Sequence, residues 1–155
     1  MIRRAMKKDA DAIVRLLYQV NQVHADGRPD LFKNGGIKYT KESVEELIEK
    51  GEKIIFVSTD DTDEVEGYVF CDVEEVKETT SVYPIKSLYI DDLCVDEVKR
   101  QRGIGKSLYQ RACEYAKEIG CYRVTLHVWE CNPGAEAMYR KLGMKTLYTS
   151  MEHIL

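Results

Sequence analysis

At 155 residues the chain is long enough to bury one core and offers no sign of a second folding unit, so one domain spanning 1–155 is expected. Apolar residues make up 44% and charged residues 32%, with 3 Pro and 10 Gly, which fits a soluble globular fold and argues against extended disorder. The formal net charge of -4 argues against a nucleic-acid partner, so any basic function has to be local.

Cys71, Cys94, Cys113, Cys121 and Cys131 form no C-x-x-C pair and are odd in number, which reads as reduced thiols in a cytoplasmic protein. The N-terminus reaches Asp9 and Asp11 before any continuous apolar run, so no signal peptide is expected. Apolar runs such as Ile54 to Val57 are too short to cross a bilayer, and no membrane partner is expected.

Ile13, Leu16, Leu17 and Val20 recur at helical spacing between Asp9 and about His24, before the turn-rich "DGRPD". A second helix is predicted from Thr40, a suitable cap, to Gly51, with Val44, Leu47 and Ile48 on one side. "KIIFVST", "EGYVFCDVEEV" and "KSLYIDDLCV" are rich in β-branched and aromatic residues and read as consecutive strands. Leu108, Ala112, Ala116 and Ile119 mark a third helix that Gly120 ends. "CYRVTLHVWE" alternates as a strand, and "NPGAEAMYRKLG" is a short helix with Asn132 as cap and Pro133 at its first position. The tail "MKTLYTSMEHIL" is expected to supply one or two closing strands. The order predicts an α/β layer fold with helices on a single central sheet.

"RQRGIGKS", Arg100 to Ser107, stands out against the acidic background. Between Val98 and Arg111 there are five cations, Lys99, Arg100, Arg102, Lys106 and Arg111, and no carboxylate. A glycine turn that opens a helix offers main-chain N–H groups and the positive end of the helix dipole to an anion; the plainer reading is a solvated basic helix start. Gly105-Lys106-Ser107 copies the end of a nucleotide-binding P-loop, but Arg100 stands where its first glycine is required. A dinucleotide fingerprint also fails, because Leu108 occupies its third glycine position.

The pattern that does fit is R-x-x-G-x-G, Arg100, Gly103 and Gly105, after an apolar strand ending in Val95. "YIDDLCVDEVKRQRGIGKSL" resembles the acetyl-CoA pyrophosphate loop of the GNAT superfamily of N-acetyltransferases, and "LHVWECNPGAEAMYRKLGM" resembles that family's second motif. The resemblance is strong from Leu88 to Met144 and weaker over the first helix and "HADGRPDLFK". It implies a central, mostly antiparallel sheet with one splayed parallel strand pair, flanked by about four helices.

The resemblance also implies acetyl-CoA as co-substrate, with no metal. Main-chain groups of Gln101, Arg102, Gly103, Ile104, Gly105 and Lys106 would wrap the pyrophosphate with Arg100 beside them, and Ser107 would add a hydroxyl. Leu93, Cys94 and Val95 would pair with the pantetheine arm in the manner of an added strand, and Asn132 would contact that arm. Tyr139, seven residues after Asn132, matches the family's general acid for the leaving thiolate. "YIDDLCV" is similar to the corresponding strand of diamine acetyltransferases, which makes Asp91 the first candidate base, with a bridging water for its short side chain.

His127 is a second base candidate, although a lone strand histidine is more often structural. Adjacent strand residues point to opposite faces, so at most one of Asp91 and Asp92 faces the site unless a bulge intervenes; Asp92 and Glu130 are candidate contacts for a cationic acceptor. The expected reaction is acetyl transfer to the primary amine of a small cationic molecule. A non-catalytic acyl-CoA-binding module and a protein N-terminal acetyltransferase are the alternatives. A homodimer through the C-terminal strand segments is suggested by family analogy.

Overall fold

A computed structural model describes residues 1–155. Five strands form one sheet in the order β1 (Ile2–Arg4), β2 (Ile54–Thr59), β3 (Val65–Val76), β4 (Ile85–Val95) and β5 (Arg123–Leu126). The first three pairings are antiparallel and the last is parallel. A tight turn joins β2 to β3, in which the Asp60 carboxylate accepts from the N–H of Thr62 at 2.9 Å and of Glu64 at 3.1 Å. The parallel pair needs a crossover, supplied by helix α3 (Ile104–Glu118).

Helices α1 (Ala10–Gly27) and α2 (Lys41–Lys50) cover one face of the sheet. Ile13, Leu16, Leu17 and Val44 bury their side chains there against Ile55, Val57, Tyr68, Phe70 and Cys94. On the other face Leu108, Ala112 and Ala116 of α3 meet Phe56, Val69, Cys71, Leu88 and Ile90. Strand alternation thus divides two apolar sets between two helical layers, as the expected α/β architecture requires. Helix α4 (Pro133–Lys141) is capped by Asn132, whose side-chain oxygen accepts from the Ala135 N–H at 3.2 Å. No helix is long and apolar enough to cross a membrane.

Three local expectations need correction. β1 was not anticipated, because three residues carry too little alternation to read; it is held by pairing to β2 and by the amino terminus, which donates to Thr59 O at 2.6 Å. β5 stops at Leu126, so His127 to Trp129 leave the sheet and turn, the Asn132 N–H donating to Trp129 O at 2.9 Å. The C-terminal tail forms no strand, and Leu147, Tyr148, Met151, Ile154 and Leu155 are exposed. Beyond the Met144 N–H, which donates to Tyr139 O at 3.1 Å, it is tied by side chains, including Arg28 to Glu152 at 2.5 Å, so the strand edge proposed for a dimer is absent.

Gly67 on β3 is where α3 comes closest to the sheet. A Cβ there would lie 2.8 Å from the carbonyl oxygen of Cys94, 3.2 Å from Leu108 and 3.3 Å from Ile104. Main chain cannot yield as a side chain can, so Gly67→Ala is expected to cost about 1–3 kcal/mol and lower Tm by roughly 3–10 °C. An unchanged melting curve by circular dichroism would refute this packing argument.

Candidate active site

The parallel register runs from Ser87 opposite Arg123 to Ile90 opposite Leu126 and ends there. β4 continues for five more residues, Asp91 to Val95, paired to β3 alone. On the β5 side the main-chain groups of Leu93 and the N–H of Val95 are therefore open to an amide-bearing ligand lying alongside, while Val95 O is taken by Arg100. Cys94, expected to pair with that arm, does not offer itself: its carbonyl oxygen faces Gly67 of β3, and its side chain is buried against α1, the thiol pushed up to about 12 by burial.

The same strand carries a β-bulge. Phe70 is opposite Asp92 and Cys71 opposite Ile90, so Asp91 is the extra residue. The bulge resets the alternation: Leu88 and Ile90 face α3, as do Leu93 and Val95, while Asp92 and Cys94 face α1 and α2. Asp91 reaches Lys38 and Lys53 on that α1–α2 side as well. Two neighbouring carboxylates therefore stand on one face, the exception the sequence left open.

Their surroundings differ. Asp91 accepts from Lys38 Nζ at 2.6 Å and from Lys53 Nζ at 3.1 Å, and Lys53 also pairs with Asp72. Burial pushes the Asp91 carboxyl up, but the two lysines outweigh it and hold it below the usual carboxylate range. Asp92 has no cationic partner in contact; its side-chain partner is the Tyr68 hydroxyl, at 3.2 Å. Burial pushes its carboxyl up to about 6, and the neighbouring Asp91 charge adds to this, while Lys38 and the Tyr68 bond pull the other way.

Tyr139 on α4 is buried, its ring centroid 6.1 Å from that of Tyr109 on α3. Burial, reinforced by the Asp92 charge, raises its phenol well above the ordinary value, so it holds its proton at neutral pH. His127 lies past the end of β5, with Nδ1 3.2 Å from the Tyr89 hydroxyl and Nε2 2.9 Å from the Tyr148 hydroxyl. Both ring nitrogens are thus engaged. Glu130 is exposed and shares a shallow surface depression with Arg28, Trp129 and Cys131, apart from the two aspartates.

At the far end of β4, Asp96 fixes the strand to α1 through Arg15 and accepts from the Val98 N–H at 3.3 Å. Arg100 Nε then donates to Val95 O at 3.2 Å, folding the chain back. Gln101 at φ +64° and Gly103 at φ +82° both take left-handed backbone, and the N–H groups of residues 101 to 106 donate to no protein acceptor. Ser107 is the first to do so, to Gly103 O at 3.0 Å. Such a run of free donors at a helix start is a nest for an anion. Of the five cations noted in the sequence, Lys99 and Arg111 are paired to Glu66 and Glu118, while Arg100, Arg102 and Lys106 have no carboxylate partner. Gly105 serves packing too, since a Cβ there would lie 3.2 Å from Met138 Sδ on α4.

Sequence reasoning missed Lys38, Lys53 and Tyr68. Neither lysine belongs to a motif, and Tyr68 reads as one more strand aromatic; the bulge brings Tyr68 to Asp92, and tertiary packing brings the lysines to Asp91.

The probable glucosamine 6-phosphate N-acetyltransferase 2 of Oryza sativa subsp. japonica is 42% identical over 55 residues, 36% of this chain and 31% of the relative. The matched stretch thus spans about a third of that relative's length. A mutant of the BH1408 protein from Bacillus halodurans shares the fold at a TM-score of 0.94, with 27% identity over 100% of this chain and 99% of that one. An aminoglycoside N-acetyltransferase, AAC(6')-Iy, solved in complex with CoA, shares the fold at 0.72, with 16% identity over 100% and 98%. The model of the acetyltransferase (GNAT) family matches residues 20–144, and this chain, with its splayed β4–β5 pair and its donor-rich turn into α3, belongs to that family.

Proposed function

We propose that the protein is an acetyl-CoA-dependent N-acetyltransferase that acts on the primary amine of a small cationic molecule, with residues 1–155 forming one catalytic domain. The observation that carries this reading is the six-donor turn with three cations that have no carboxylate partner, set beyond the end of the β4 segment that β5 leaves unpaired. Coenzyme A presents a pyrophosphate to suit the turn and an amide-bearing arm to suit the open edge from Leu93 to Val95. The solved complex of a fold relative with CoA supports the same cofactor.

In the reaction we propose, the amine nitrogen bonds to the thioester carbonyl carbon, the carbon–sulfur bond breaks, and the thiolate takes a proton from Tyr139. Tyr139 suits that role because it is buried and holds its proton, burial first and the Asp92 charge second raising its phenol. For the base, the surroundings favour Asp92 over Asp91. Asp91 is neutralised by two lysines, whereas Asp92 carries a proton affinity raised to about 6 and faces no competing cation in contact. Once the nitrogen has joined the carbonyl carbon its N–H is acidic enough for such a carboxylate to accept. Asp92, which has no cation in contact, supports a cationic acceptor, and the relatives named for aminoglycoside and glucosamine 6-phosphate acetylation support a small-molecule amine.

Three outcomes are expected. Isothermal titration detects acetyl-CoA binding, and Gly103→Val weakens it at least about tenfold through φ strain alone, since a Cβ there meets nothing within 4 Å. Lys106→Ala weakens it less than about threefold; the reverse order would show that the lysine, not the main chain, holds the ligand, and no binding at millimolar acetyl-CoA would remove the whole reading. Tyr139→Phe lowers kcat about 100-fold or more in a thiol-release assay, and full turnover across pH would end its assignment as the acid.

For Asp92→Asn a similar loss of kcat is expected, together with loss of the wild-type rise in kcat/KM as pH climbs through about 6. Stability moves the opposite way. A carboxyl raised in the folded state contributes stability that is present below its unfolded pKa and lost as pH rises through the folded one. Asp92→Asn therefore raises Tm by roughly 2–5 °C at pH 8, with a smaller gain at pH 4.5. Equal shifts at both pH values would contradict the raised affinity.

A further inference from the structure

We infer that Lys38 stands where a second positive charge on the acceptor binds, so that its ion pair with Asp91 sets the selectivity between acceptors of one charge and two. This rests on the proposed reading of the acceptor as a small cationic amine. The argument begins with the two oxygens of Asp91, which are held very differently. Oδ2 faces Lys53, a side chain only 15% exposed and shared with Asp72, so that lysine is fixed from both sides. Oδ1 faces Lys38, 44% exposed, on the connection between α1 and α2, with no other carboxylate partner.

Asp91 itself is the bulge residue next to Asp92 and on the same face of the sheet. An ammonium on Asp91 Oδ1 is therefore beside the proposed base. Lys38 Nζ also lies 5.7 Å from the centroid of the Tyr39 ring, and Tyr39 stacks on Phe70, the residue opposite Asp92. The position thus offers a carboxylate oxygen and an aromatic face to a primary ammonium, and the chain fills it with an ammonium of its own. A half-exposed Lys–Asp pair is weak, so a substrate ammonium can displace it, and its removal should change apparent affinity by about fivefold. A monoamine spends its only nitrogen in the reaction and does not compete for Asp91; a diamine does.

The test compares 1,4-diaminobutane with n-butylamine by thiol release. Lys38→Met should lower KM for the diamine and raise the ratio of its kcat/KM to that of the monoamine about fivefold, while Lys38→Arg, which keeps the charge, should return the ratio to within about twofold of wild type. Adding Asp91→Asn should abolish the gain. Titration of 1,4-diaminobutane into the CoA-bound protein gives a readout without turnover, and Lys38→Met should bind it more tightly. An unchanged ratio, or an equal fall for both amines, would mean that Lys38 only ties down its loop and would overturn the inference while leaving the cationic-acceptor reading intact. If neither protein binds or acetylates any amine of the pair, that reading falls, and this inference with it.

Discussion

One extra residue in β4 governs most of what the site can do. Without the bulge, strict alternation would put Asp92 on the face of Leu88 and Ile90, under α3, where a carboxylate would lie among Leu108, Ala112 and Ala116 with nothing to satisfy it. With it, Leu93 and Val95 recover the α3 face and Asp92 turns to the α1–α2 side, where the Tyr68 hydroxyl can reach it. The same irregularity lies where β5 stops pairing, since Ile90 is the last residue of β4 matched on both sides. A bulge strengthens local twist, so the strand bends away where the parallel partner is lost. The turned Asp92 and the start of the open strand edge thus sit at one irregularity.

The turn into α3 shows the same opposition of demands. A helix that starts in the middle of a domain ordinarily finds caps for its first N–H groups, and α2 and α4 do so through Thr40 and Asn132. α3 has no side-chain cap; Gly103 stands at its N-cap position with left-handed backbone. Gln101 takes similar backbone without the freedom of glycine, a strained choice that keeps successive N–H groups pointing outward. Stability is held elsewhere, by Asp96 on Arg15 and by Arg100 on Val95 O, so the turn is rigid at its base while its donors stay unused. α4 packs on the start of α3, setting Met138 against Gly105 and Tyr139 near Tyr109.

What the sequence revealed, and what it concealed, follows from the range of the interactions involved. Helices α1 to α4 and strands β2 to β4 were legible, because each rests on its own periodicity and its own stop signals, such as Thr40, Gly51, Asn132 and Gly120. The donor-rich turn was legible because glycine spacing and charge are local. β1 was hidden, being a strand only by virtue of β2, and the tail misled because alternation marks a strand only where a partner is paired, and the tail does not pair with the free edge of β5. Lys38 and Lys53 come to Asp91 from 53 and 38 residues away, a distance over which sequence pattern carries no information.

That long-range charge arrangement also separates the roles of two adjacent, chemically identical side chains. Asp91 and Asp92 would repel each other if both were ionised in similar surroundings, and one would have to give up its charge. Here Lys38 and Lys53 together take Asp91 down against its burial, and burial takes Asp92 up. When neighbouring groups are driven apart in this way, the one left with higher proton affinity is suited to accepting a proton and the other to holding fixed charge. Lys38 is the movable member of the set: exchanging it for a ligand ammonium leaves the local charge unchanged, so the difference between the two aspartates would survive acceptor binding.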